Sequence, residues 1–139
     1  MKKYIGIIGR VNEDKITFNQ EVINAIISYN MIPMGIIVDF NKPNFEDIKL
    51  LIDKCDGFIL QGGKDYYDID ILITKYLHNK NIPTLGICLG MQIMSVLFNG
   101  KMGSIANHYN CTHNIKISKN SKLYDILGKD SITVNRIFS

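Results

Sequence analysis

Cys88 lies between two glycines in the run Gly86-Ile87-Cys88-Leu89-Gly90-Met91-Gln92. A cysteine thiolate is a strong nucleophile toward an acyl carbon, so this residue type in this setting proposes covalent catalysis. The run follows the apolar Pro83-Thr84-Leu85 and opens an apolar stretch ending near Gly100, a pattern of strand, sharp turn and helix. Small residues at Gly86 and Gly90 let such a turn close without side-chain clashes. The turn presents the Cys88 side chain outward at a helix N-terminus, where partial positive charge favours the thiolate. Gly-x-Cys-x-Gly alone is equally compatible with a buried, inert cysteine.

The elements that must position Cys88 alternate along the chain. Strand-like apolar runs fall at Tyr4–Ile8, Met34–Val38, Gly57–Leu60 and Thr84–Ile87. Helical spacing is expected between them. The first helix follows a capping box at Thr17-Phe18-Asn19-Gln20 and carries Val22, Ile23, Ala25, Ile26, Ile27 and Tyr29. The second is capped by Asn44, with Ile48, Leu51 and Ile52 as its inner stripe. The third covers Ile69–Leu77, and the fourth runs from Leu89 to Phe98 with Gly100 as its C-terminal stop. Apolar strands separated by helices predict an α/β fold with a parallel sheet covered on both faces. Ligands in such sheets bind beyond the C-terminal strand ends. Gln61-Gly62-Gly63 and Cys88 both fall at that edge, which predicts that the two loops meet. After Gly100 the pattern weakens to strand signals at Asn114–Ile117 and Ile132–Val134 and a short helix at Lys122–Leu127.

The length of 139 residues fits one domain with one core, residues 1–139. The formal net charge is +3, with the basic surplus after residue 100. Those lysines are scattered and not interleaved with aromatics, so no nucleic-acid partner is expected. The N-terminal apolar run stops by Arg10, too short for a signal peptide, and no stretch is long enough for a membrane span. Three cysteines without regular spacing do not make a disulfide framework. The expected setting is the cytoplasm, with no membrane partner.

The longer string Leu85-Gly86-Ile87-Cys88-Leu89-Gly90-Met91-Gln92 closely resembles the nucleophile signature of class I glutamine amidotransferases. Upstream, Phe58-Ile59-Leu60-Gln61-Gly62-Gly63-Lys64-Asp65 resembles that family's oxyanion-strand motif. The opening Ile5-Gly6-Ile7-Ile8-Gly9-Arg10 and the Asp68–Leu77 helix look most like its γ-glutamyl hydrolase branch, which cleaves γ-glutamyl amides. The resemblance implies a flavodoxin-like three-layer sandwich with a mainly parallel sheet. It implies that Cys88 attacks the amide of glutamine or a γ-glutamyl compound to form a thioester. It assigns the oxyanion donors to the backbone of Leu89 and of the Gly62-Gly63 turn. Gln92 matches a family position beside the glutamyl pocket, the alternative being a helix-surface amide. Asp65 reads as a turn cap. No cofactor is implied.

The family also uses a histidine to activate the cysteine and a glutamate to orient that histidine, both well downstream of the nucleophile. Ser131-Ile132-Thr133-Val134-Asn135 resembles the strand that precedes them, but Arg136-Ile137-Phe138-Ser139 follows it, and no glutamate follows Glu46. The expectation is a domain lacking the family's C-terminal part, with poor hydrolysis by this chain alone. Two alternatives remain: a half-site completed by a partner chain or by self-association through an exposed sheet edge, and a non-catalytic glutamyl-binding or regulatory module. Of the other histidines, His78 closes a helix and should face solvent. His108 and His113 flank Cys111 in Asn107-His108-Tyr109-Asn110-Cys111-Thr112-His113, a stretch that resembles a non-catalytic segment of the γ-glutamyl hydrolase branch. Three candidate ligands without a second cluster are a weak metal pattern, and these residues are expected to be loop or strand residues with no metal.

Overall fold

The computed structural model describes residues 1–136. They form two compact units, one spanning Met1–Met102 and one beginning at Gly103. In chain order the first unit contains β1 (Tyr4–Ile8), β2 (Arg10–Asn12), β3 (Lys15–Thr17), α1 (Gln20–Ser28), β4 (Ile32–Ile36), α2 (Phe45–Ile52), β5 (Gly57–Leu60), α3 (Asp68–Asn79), β6 (Thr84–Gly86) and α4 (Leu89–Leu97).

The four strands expected from the sequence form one parallel sheet in the order β4-β1-β5-β6. The chain winds outward from β1 to β4, then crosses back over β1 to lay down β5. That reversal makes the C-terminal ends of β1 and β5 the topological switch point, where α/β sheets hold their ligands. Ile7 and Ile8 point to opposite faces of β1, and each is only 1% exposed, so both faces of the sheet are covered. On one face Ile8, Ile36, Phe58 and Leu60 pack with Ile48 and Ile52 of α2 and with Ile69, Ile73 and Leu77 of α3. This is the predicted α/β, flavodoxin-like sheet.

Two local expectations need correction, and one element was not foreseen. The segment after β1 is an antiparallel hairpin, β2–β3, pairing Arg10 with Thr17 and Asn12 with Lys15. Its turn residue Glu13 takes φ 55° without the glycine or asparagine that signals such turns, which is why the hairpin was not legible. The α1 cap is Asn19 rather than Thr17, which ends β3. The Asn19 side chain accepts from the amides of Glu21 and Val22 at 2.9 and 3.2 Å. Strand β4 begins at Ile32, two residues before the expected start. It includes Pro33, which an edge strand tolerates because only one side of its backbone is paired.

The second unit contains β7 (Cys111–Lys116), α5 (Lys122–Leu127) and β8 (Ser131–Arg136), the two strands pairing antiparallel. Ser121 caps α5 by accepting from the Tyr124 amide at 3.2 Å, and Gly128 ends it at φ 64°. Among the described residues no helix is long and apolar enough to cross a membrane.

Candidate active site

Cys88 sits between β6 and α4 with φ 53° and ψ −111°, a backbone conformation that L residues rarely adopt. The conformation is held by close approach on both sides. A Cβ on Gly86 would lie 2.7 Å from the Met91 nitrogen, and one on Gly90 only 1.9 Å from the Leu60 carbonyl oxygen. Glycine at these two positions is therefore what lets α4 begin directly against the end of β5. The Cys88 side chain is exposed and forms no hydrogen bond at the helix cap.

The Gly62-Gly63 turn arrives beside it, as the parallel sheet predicts. A Cβ on Gly62 would lie 3.4 Å from Cys88 Cβ and 4.0 Å from its Sγ. Nothing but a glycine's open face separates the turn backbone from the thiol. Among the described residues, the amides of Gly62, Gly63 and Leu89 donate to no protein acceptor. Leu89 is the first residue of α4, so its amide is one of those a helix leaves unpaired. Its side chain is buried, and Gly63 lies close enough that an added Cβ would sit 3.2 Å from Leu89 Cδ2. Gln92 follows one turn later on the Cys88 side of the helix and is half-buried, its amide donating to the Cys88 carbonyl at 3.1 Å.

The turn is fixed from behind by residues that sequence reasoning missed. Gln61 is 3% exposed. Its Nε2 donates to the carbonyls of Ile8 and Thr17 at 2.9 and 3.0 Å, and its Oε1 accepts from the Asn19 amide at 2.8 Å. One side chain thus ties β5 to β1, the hairpin and α1. Arg10 is equally buried; it pairs with Asp70 and donates to the Asp65 carbonyl. Asp70 in turn accepts from the Tyr67 amide at 2.8 Å, closing the loop that carries Gly62 and Gly63. Asp65 therefore holds its turn through its backbone carbonyl. The available signals were an arginine directly after a buried strand and an aspartate within the apolar face of α3.

The other cysteine of this unit differs in kind. Cys55 is buried, and burial, with a smaller contribution from neighbouring Asp56, pushes its thiol up to about 11. It is a packed, protonated thiol at neutral pH. His78 is exposed at the C-terminal end of α3, its ring edge-on to Phe98 with centroids 5.0 Å apart. The N-terminal end of α3 is the one beside the glycine turn. Ten residues of helix therefore put His78 about 15 Å from that end. His108, Cys111 and His113 all lie in the second unit. Their ligand atoms lie within 4.8 Å of one another.

The structure places an exposed cysteine on a strand–helix elbow, beside a glycine turn at the switch point of a parallel α/β sheet. The model of the glutamine amidotransferase class-I family matches residues 14–136, and the chain belongs to that family. A CTP synthase from Bdellovibrio bacteriovorus is 28% identical over 99 residues, covering 68% of this chain and 18% of that protein. One subunit of the glutamine-hydrolysing GMP synthase from Methanothrix thermoacetophila is 51% identical over 62 residues, covering 45% and 31%. The matched stretch thus spans less than a third of either relative. A glutamine amidotransferase from Thermotoga maritima superposes over 100% of this chain and 61% of its own, with TM-score 0.68 and 17% identity. The glutaminase domain of Trypanosoma brucei CTP synthase, solved with acivicin bound, gives TM-score 0.70 at 17% identity over 96% and 66%. These relatives are synthases and amidotransferases, and they do not support the γ-glutamyl hydrolase branch expected from the sequence.

Proposed function

We propose that this chain carries the nucleophile half of a glutaminase site, with Cys88 attacking the side-chain amide of glutamine. The nearness of the Gly62 turn to Cys88 supports the reading, because its amides have no protein acceptor and are free to bind an oxyanion. Attack by the Cys88 thiolate on the amide carbon gives a tetrahedral oxyanion, and the Gly62, Gly63 and Leu89 amides are its donors. Collapse expels ammonia, which takes a proton on leaving, and forms a γ-glutamyl thioester. Water then releases glutamate and restores the thiol. Gln92, one helical turn behind Cys88, is assigned to the glutamyl pocket. Glutamine is preferred to a γ-glutamyl amide as substrate because the similar proteins named above are CTP and GMP synthases and amidotransferases. The three free thiols fit a reducing compartment, so we assign the protein to the cytoplasm.

Among the described residues no side chain hydrogen-bonds Cys88, so the activating base of the family reaction has no assignment within the first unit. We propose acylation of Cys88 as the step that this chain supplies. One observation favours a partner that completes the site. Among the described residues strand β6, which leads directly into Cys88, is an edge of its sheet, and Leu85 on it is 57% exposed. A partner chain docking there would also receive the ammonia, an arrangement in keeping with a GMP synthase relative that is one subunit of its enzyme.

Acivicin, seen bound in the trypanosomal relative, tests the nucleophile separately from turnover. Mass spectrometry should find a single adduct on Cys88, slowed by excess glutamine and absent in Cys88→Ala. Labelling that ignores glutamine, or that falls on Cys111, would remove the glutaminase assignment.

A further inference from the structure

We propose that His108, Cys111 and His113 form a binding site for a borderline divalent metal ion of the zinc type, independent of the Cys88 site. Two features of the backbone bring the three together. Cys111 and His113 are alternate residues of β7, so they share one face of the hairpin. His108 is returned to that face by a turn in which Asn107 and Asn110 take φ 58° and 47°, the left-handed region that asparagine tolerates better than most residues. All three side chains are half-buried. The imidazole centroids are 4.4 Å apart with the rings inclined at 53°, and the three ligand atoms lie within 4.8 Å of one another.

A second observation singles out this cluster as more than packing. The Nδ1 of His113 is buried and has no hydrogen-bond partner among the described residues. A buried ring nitrogen left unpaired is costly, and a bound cation is one of the few partners that would offset the cost. The residue opposite His113 across the hairpin is Val134, which offers no polar group.

The donor set decides the chemistry. Two imidazoles and one thiolate suit zinc, cobalt or nickel and are poor ligands for magnesium or calcium. A tetrahedral zinc ion with bonds of about 2.0–2.3 Å needs ligand atoms about 3.3–3.6 Å apart. The present spacing closes to that by a small side-chain contraction around His108 in its turn. Coordination displaces the Cys111 thiol proton to solvent, both imidazoles binding as neutral ligands. Three protein ligands leave the fourth tetrahedral position for water or another donor.

Cobalt(II) titration of the purified full chain reads this directly. The expected result is one ion per chain with a Kd below about 100 µM. The spectrum should show a thiolate-to-cobalt charge-transfer band and tetrahedral visible absorption, both removed by stoichiometric zinc and unaffected by magnesium. Cys111→Ser should abolish the charge-transfer band. It should also weaken binding by more than about tenfold, since even outer-shell losses commonly cost that much. Cys88→Ser should leave the band intact, which separates this site from the nucleophile. His108→Ala, outside the strand pairing, should weaken binding while circular dichroism stays unchanged. No saturable binding, a band that survives Cys111→Ser, or one lost with Cys88→Ser would overturn the proposal.

Discussion

Arg10 and Asp70 form a two-pronged ion pair in the interior, Nη1 lying 2.6 Å from Oδ1 and Nη2 3.2 Å from Oδ2. The guanidinium lies against Phe40 and also holds the Asp65 carbonyl, so one buried cation organises the loop that carries Gly62 and Gly63. Such a pair adds little net stability over a well-packed apolar replacement, but breaking half of it strands a charge.

Arg10→Met is therefore expected to cost about 3–5 kcal/mol in urea unfolding, because Asp70 is left charged and buried. Adding Asp70→Leu should recover part of that loss. Arg10→Lys should not restore the wild-type midpoint, since an ammonium cannot span both carboxylate oxygens and the Asp65 carbonyl in one plane. A wild-type midpoint for Arg10→Met would show that the pair is not what holds the loop.

Two glycine substitutions should separate folding from reactivity. Gly90→Ala drives a methyl into the Leu60 carbonyl and should destabilise the chain by about 3 kcal/mol or more. Gly62→Ala adds a methyl at ordinary contact distance from Cys88, so thermal stability should stay within about 1 kcal/mol of wild type. Its acivicin labelling rate should nevertheless fall by about tenfold or more, as the methyl crowds the position proposed for the oxyanion. Equal labelling of Gly62→Ala and wild type would argue against any role for this turn.

Cys55 gives a pH signature. Its folded pKa of about 11 exceeds the ordinary 9.0, so the folded protein keeps a proton that the unfolded chain has lost between these values. Stability from this group is complete below pH 9 and falls as pH rises toward 11, by about 2–3 kcal/mol in total. Tyr76, bonded to Asp53, is also shifted upward and titrates in alkali. The comparison to make is Cys55→Ala against wild type. The variant should lose less stability than wild type between pH 9 and 11, as read by urea midpoints.

The sheet was legible because each parallel strand is an apolar run, and apolar runs survive without knowledge of their neighbours. The elbow was legible because its glycines and cysteine sit within seven residues of one another. What escaped was set by contacts remote in sequence. Gln61 looked like part of a glycine turn, yet its side chain bonds Ile8, Thr17 and Asn19. Asp70 broke an apolar helix face for the sake of an arginine sixty residues earlier. The β2–β3 hairpin was hidden because Glu13, not a glycine or asparagine, takes the left-handed backbone of its turn. His108, Cys111 and His113 were visible only as a weak metal pattern, because the asparagine turn that brings their ligand atoms together leaves no periodic trace.

The ties behind Cys88 span long stretches of chain, fifty-three residues from Gln61 to Ile8 and sixty from Arg10 to Asp70. Loops of that length close late, after helices and local turns have formed. The glycine turn has no fixed position until they do, so glutamine-protected labelling of Cys88 should lag behind the recovery of helix during refolding. Labelling of Cys88 then serves as a clock for the last step of assembly, reading when the central strands β1 and β5 have paired.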